Sequence, residues 1–277
     1  MKRKILLISL FIFGGVICLF PIYSNWYNNR VHYTLIEAYH EYIDGIPIEE
    51  MNQRLEAAHH FNQALIEGTA VYADPFSKEK IKNLNLVEYP EGFEFENVIG
   101  SIQIPKINVD LPILFGISED ILLQGVGYMP NTSLPTGGDG VHTVLTGHRG
   151  MASSELFRHL NLLIEGDHFF IKSLGQILSY EIDQIKIVDP ANVDDLRLEK
   201  DKDYVTLVTC HPYMINSQRL LIRGHRINEI QADMNVENTT NFFYQRYKEY
   251  IYTIVVVIAF TAVVTFKKYK KGSFNHE

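Results

Sequence analysis

Two charge-free runs confine what this chain can fold into. No charged residue lies between Ile5 and Asn29, and Lys2, Arg3 and Lys4 precede that run. Tyr250–Phe266 is again uncharged, and Lys267, Lys268, Lys270 and Lys271 follow it. A helix crossing a bilayer needs roughly 17–25 apolar residues, so both runs are long enough, the second only just. Basic residues on the outer side of each run put both ends in the cytoplasm and the middle outside, by the positive-inside rule. The first run also has the position of a signal peptide. Bulky Phe20-Pro21-Ile22-Tyr23 offers no small-x-small cleavage site, however, which favours a retained anchor. A globular domain must therefore form between residues 30 and 249.

That middle part holds 18 basic and 32 acidic residues, a net charge of −14. Such a balance argues against nucleic acid and anionic lipid headgroups as partners. It suits a solvated surface or a basic protein partner. The chain has two cysteines, and Cys18 lies in the first apolar run. Cys210 thus has no disulfide partner in the exported part. It is either a small buried hydrophobe or a working thiol.

Tyr33, Ile36, Tyr39 and Ile43 recur at helical spacing, as do Met51, Leu55, Ala58, Phe61 and Leu65 after Gly45 and Pro47. Residues 32–68 are therefore expected to form two helices or one broken helix, ending at Gly68. Asp74-Pro75-Phe76 is a turn carrying an aromatic, and residues 77–97 read as a loop about 20 residues long. Loops beyond roughly 12–15 residues are often functional lids. From Val98 onward the pattern is short β runs. These are Val98–Pro105, Val109–Ile113, Gly140–Thr146, His168–Leu174, Ile177–Val188, Tyr204–Cys210 and Arg219–Asn228. Glu119–Leu123 and Ser154–Leu163 read as short helices. Seven or eight short strands point to a closed barrel or a sandwich.

The chemistry gathers at strand ends. Thr206-Leu207-Val208-Thr209-Cys210 is a buried-strand pattern ending in a thiol. A cysteine hydrolase or acyltransferase needs a proton carrier and an oxyanion stabiliser besides its thiolate. His148 lies where the strand to Thr146 ends in a Gly-flanked turn, a usual place for groups that reach a ligand, though taken alone it reads first as a solvent-facing turn residue. If the strands are antiparallel neighbours, the eight-residue connection brings Arg219 back beside Cys210. There its guanidinium can lower the thiol pKa and hold an oxyanion. Arg223 is the competitor, on the same face but roughly 13 Å further along. Metal-ligand spacings such as Cys-x-x-Cys and His-Glu-x-x-His are missing, so no metal or cofactor is expected.

Taken together, these residues resemble the sortases, cysteine transpeptidases of the Gram-positive cell surface. Leu207-Val208-Thr209-Cys210 is similar to the end of their TLxTC signature. Thr146-Gly147-His148 resembles the segment carrying their histidine, and Cys210-x8-Arg219 matches their cysteine-to-arginine spacing. His148-Arg149-Gly150, Cys210-x-Pro212-Tyr213-Met214-Ile215-Asn216 and the run from Arg219 to Arg226 resemble class C, the pilin-polymerising members. Class C also carries an Asp-Pro-aromatic lid, similar to Asp74-Pro75-Phe76, and a C-terminal membrane helix. The lid aromatic here is Phe76, where tryptophan is also familiar.

The resemblance implies a mainly β protein, a closed eight-stranded barrel with short helices, preceded by N-terminal helices and flanked by two membrane segments. It implies that Cys210, His148 and Arg219 are catalytic and converge at one end. Asp74 and Phe76 would form an inhibitory lid. The partners implied are pilin precursors with LPXTG-like sorting signals and an acceptor lysine, together with the plasma membrane, the catalytic domain facing the cell wall. The expected layout is an anchor over 1–30, helices over 31–70, a lid loop over 71–97 and the barrel over 98–230. A linker over 231–249, a transmembrane helix over 250–266 and a basic tail over 267–277 complete it. A housekeeping sortase acting on peptidoglycan, a membrane-bound cysteine peptidase and an inert scaffold are the alternatives.

Overall fold

In a computed structural model of the chain, residues 2–68, 72–77, 89–90, 92–151 and 154–228 are described. The expected linker, the second apolar run, the basic tail and residues 78–88 of the expected lid loop lie outside these residues.

The chain opens with α1 (Lys2–Asp44), a single helix that runs unbroken through residue 30 and carries Pro21 inside it. Its N-terminal half and its C-terminal half have different surroundings. Leu10, Phe11, Phe13, Val16, Ile17, Leu19 and Phe20 are all more than half exposed. This is the one segment among the described residues that is long and apolar enough to cross a membrane. Further on, Ile36, Tyr39 and Ile43 are buried, as their spacing requires of one helix face. The Tyr39 hydroxyl donates to the Ile99 carbonyl and accepts from the Leu174 amide, each at 3.1 Å, which ties α1 to the barrel wall.

Pro47 precedes α2 (Ile48–Glu67), Glu49 and Glu50 occupy its positive end, and Gly68 follows its last turn. Buried Asn62 on α2 clamps a loop of the barrel. It donates to Leu134 O at 3.1 Å and to Thr136 Oγ1 at 3.0 Å, and accepts from Leu134 N at 2.7 Å.

Eight strands follow: β1 (Val98–Ile104), β2 (Val109–Phe115), β3 (Val126–Tyr128), β4 (Val141–Thr146), β5 (His168–Ser173), β6 (Gln176–Val188), β7 (Asp203–His211) and β8 (Gln218–Ile227). They close into a barrel in the order β1-β2-β3-β4-β7-β8-β6-β5. Closure leaves no edge strand open to pairing with another chain. The short helix α3 (Glu119–Gln124) lies between β2 and β3, its Ser118 side chain accepting from the Ile121 amide.

Two expectations need correction. The seven strand patterns lacked β3, which is three residues long and centred on a glycine. A Cβ at Gly127 would lie 2.5 Å from the Gly116 carbonyl and 2.7 Å from Leu122, so packing, not β propensity, dictates this strand. The helix expected over Ser154–Leu163 is reduced to one 3-10 turn, Leu160–Leu162, in the residues described there. Phe157 N donates to His148 O at 3.1 Å instead of to a helical carbonyl, and Leu156 takes a positive φ of 31°.

Candidate active site

The thiol, the imidazole and the guanidinium foreseen in the sequence come from three neighbouring elements. β4 pairs in parallel with β7, the last pair being Thr146 with Val208. Past that pair, Gly147 N donates to Val208 O at 3.1 Å, and the Thr209 hydroxyl donates to Gly147 O at 2.7 Å. Position 147 must be glycine, because a Cβ there would meet the Phe157 ring at 2.9 Å. His148 is thus held between a pinned glycine and the Phe157 amide that its own carbonyl accepts. Its Nε2 lies 3.3 Å from Glu119 Oε1 at the start of α3, at ion-pair distance but without hydrogen-bond geometry.

β7 and β8 are antiparallel, and Cys210 stands directly opposite Arg219. The competitor Arg223 pairs instead with Thr206 in the register and is bound to Asp183 at 3.0 Å through both Nε and Nη2. Cys210 is 9 % exposed and is a free thiol. Burial pushes its pKa up, Arg219 pulls it down, and Asp74 pushes it up again.

Asp74 and Phe76 sit on this group. The Asp74 carboxylate accepts from Arg219 Nε at 2.8 Å and from Nη2 at 2.7 Å, a two-pronged pair between residues that are 5 % and 8 % exposed. Arg219 Nη1 donates to Asn216 O and Gln218 O, which fixes the guanidinium plane. Burial opposes the charge on Arg219, but the bonds to Asp74, the neighbouring Cys210 and the Asp74 charge together raise its pKa. The Phe76 ring lies 5.1 Å from the Arg219 guanidinium carbon and 5.9 Å from the His148 ring centre. It also packs on an apolar cluster of Ile117, Met129, Val144, Leu196, Val208 and Leu221, where Tyr72 joins it. The turn is locally set, since Phe76 N donates to Asp74 Oδ1 at 3.3 Å and Ser77 N to Asp74 O at 3.0 Å.

Two features went unseen in the sequence. Tyr72 is a second aromatic anchor of the Asp74 segment, and only its two-residue spacing from Asp74 hints at that. Arg149 and His211, each next to a candidate catalytic residue, touch one another: Arg149 Nη1 lies 2.9 Å from His211 Nδ1.

Comparison with known proteins bears on this geometry. Residues 102–227 match the family described as the sortase domain. Among solved structures, sortase C1 of GBS pilus island 1 is 39 % identical, with a TM-score of 0.67, over 76 % of this chain and 98 % of that one. The chain belongs to the sortase family. Sortase C-1 from Streptococcus pneumoniae is 38 % identical, with a TM-score of 0.66, over 71 % of this chain and 100 % of that one. Its structural neighbours are thus class C sortases. Sortase D of Bacillus subtilis is 36 % identical over 132 residues, and sortase A of Bacillus anthracis 27 % over 129. The matched segments span 63 % and 60 % of those two curated relatives and 46 % and 47 % of this chain.

Proposed function

We propose that this sortase polymerises pilins, with Cys210 as nucleophile, His148 as proton carrier, Arg219 as oxyanion donor and Asp74-Pro75-Phe76 as an inhibitory lid. The observation that carries the reading is the pairing of Cys210 with Arg219 across β7 and β8, with Asp74 bound to that same arginine.

With the lid seated, burial and the Asp74 carboxylate keep the thiol protonated, and Arg219 spends two donors on Asp74. When the lid leaves, the anion beside Cys210 goes with it and the Arg219 donors are released. Both changes favour the thiolate and free the donors for a substrate carbonyl. The thiolate attacks the Thr carbonyl carbon of an LPXTG-like sorting signal, forming an S–C bond. Arg219 holds the oxyanion that develops on that carbonyl. The C–N bond to glycine breaks as His148 gives its proton to the departing amine. A lysine amine of another pilin then attacks the thioester. The S–C bond breaks, an isopeptide bond forms, and His148 takes a proton from the incoming amine. The partners are pilin precursors with such signals. The exposed apolar half of α1 supports attachment to the plasma membrane, with the barrel on the outer side.

Intact-mass spectrometry of the full-length chain with an LPXTG-type peptide tests this. A thioester adduct on Cys210 that disappears with an added lysine amine, leaving a peptide–amine conjugate, is the expected result. Release of free acid despite the amine would instead make the protein a cysteine peptidase, and a Cys210 inert to peptide and alkylating agent would refute catalysis altogether.

A further inference from the structure

Resting on the catalytic assignment above, we propose that Arg149 and His211 form a clamp that positions His148 relative to Cys210. The segments carrying those two residues are joined ahead of both by the Gly147–Val208 and Thr209–Gly147 hydrogen bonds. The backbone ladder between β4 and β7 stops at Thr146 and Val208. Beyond His148 and Cys210 the next residues on each segment are Arg149 and His211, and their side chains meet at 2.9 Å. The pair therefore closes on the far side what the ladder closes on the near side.

Arg149 is 6 % exposed, and its Nε donates to Arg158 O at 3.3 Å, so the guanidinium is held from two directions. A guanidinium only donates, so His211 Nδ1 must accept and the ring must be neutral with its proton on Nε2. Burial, and then the Arg149 charge, pull the His211 pKa below its ordinary value, in keeping with that state. The surroundings are largely positive. Arg158 lies behind Arg149 and is 5.9 Å from the Tyr213 ring, His159 feels both arginines, and Glu155 is 4.0 Å from Arg158 Nη1. Protonated His211 would lose its acceptor lone pair and set a second cation against Arg149. The clamp opens, and the reacting pair loses its alignment. Misplacement of catalytic groups by about 1 Å can cost on the order of a hundredfold in rate.

Single-turnover thioester formation, followed from about pH 5 to 8, in the full-length chain carrying Asp74→Ala, tests the clamp with the lid out of play. His211→Ala and Arg149→Ala are each expected to lower the maximal acylation rate on the order of tenfold near neutral pH, with little change in KM. The double variant should be no slower than either. His211→Asn supplies an amide oxygen where Nδ1 lies and does not titrate. It should restore most of the rate lost in His211→Ala and remove about one unit of slope from the acid limb of the rate profile. An acid limb unchanged in His211→Asn, or losses that add in the double variant, overturns the clamp while leaving the catalytic assignment intact. A parent chain that is neither acylated nor alkylated at Cys210 overturns both. If Arg149→Ala fails to fold, the His211→Asn profile still decides.

Discussion

Replacing Asp74 by alanine should expose Cys210 to reagents. The substitution removes two charge-assisted hydrogen bonds, at 2.8 and 2.7 Å, from a pair whose side chains are 10 % and 6 % exposed. Hydrogen bonds to charged groups contribute about 1.5–3 kcal/mol net each, and the two here share one carboxylate. Arg219 keeps its bonds to the Asn216 and Gln218 carbonyls, so part of its demand stays met. The seated lid should then lose about 2–3 kcal/mol relative to the displaced one, which is about a 30- to 150-fold shift in that equilibrium. The assay is the rate of Cys210 alkylation across pH, read by intact mass. Two effects separate in that profile. The plateau at high pH reports lid displacement. The midpoint should also move down, because Asp74 pushes the thiol pKa up. Phe76→Ala should raise the plateau with a smaller change in midpoint, since it removes a ring and no charge. A plateau unchanged in both variants would show that the segment does not guard the thiol.

Arg219→Lys keeps the charge but loses the planar fork, and should cut acylation about a hundredfold or more with a smaller change in the alkylation midpoint, measured on the same samples. Gly147→Ala forces a Cβ to within 2.9 Å of the Phe157 ring, and should cost about 1–3 kcal/mol in thermal melting while slowing acylation through His148. His142 donates from Nδ1 to Arg197 O at 2.8 Å and accepts from Thr206 Oγ1 at 2.7 Å, and burial lowers its pKa to about 4. Below about pH 6.5 the unfolded chain protonates this histidine and the folded chain does not, so stability falls as pH drops from about 6.5 to 4. His142 should thus account for about 2 kcal/mol of lost stability between pH 7 and 5, a dependence missing from His142→Gln when denaturant unfolding is compared at both pH values.

Local pattern carried much of this protein. The first charge-free run marks the exposed apolar half of α1, helical spacing marks its buried face, and β-branched residues lead into the thiol. The eight-residue return from Cys210 was enough to expect Arg219 beside it, because a short connection between strands leaves few geometries other than antiparallel pairing. His148 was less legible, since a residue just past a strand end in a Gly-flanked turn is as readily a solvent-facing turn residue, and the family resemblance singled it out.

What the tertiary structure decided are the meetings between distant segments. The register of β7 on β8, and not residue type, sets Arg219 against Cys210 and sends Arg223 to Asp183. Asp74 reaches Arg219 across 145 residues of chain; as the acid of a lid it could take either Arg219 or Arg223, and the register leaves it Arg219. The parallel pairing of β4 with β7 brings Arg149 and His211 together, though each reads in sequence as an ordinary neighbour of a more conspicuous residue. β3 exists because a glycine fits between the Gly116 carbonyl and Leu122, a constraint that arises only once the barrel closes. Propensity and periodicity are properties of a few consecutive residues, so they fix elements; closing eight strands into one barrel fixes register, and register chooses which side chains touch.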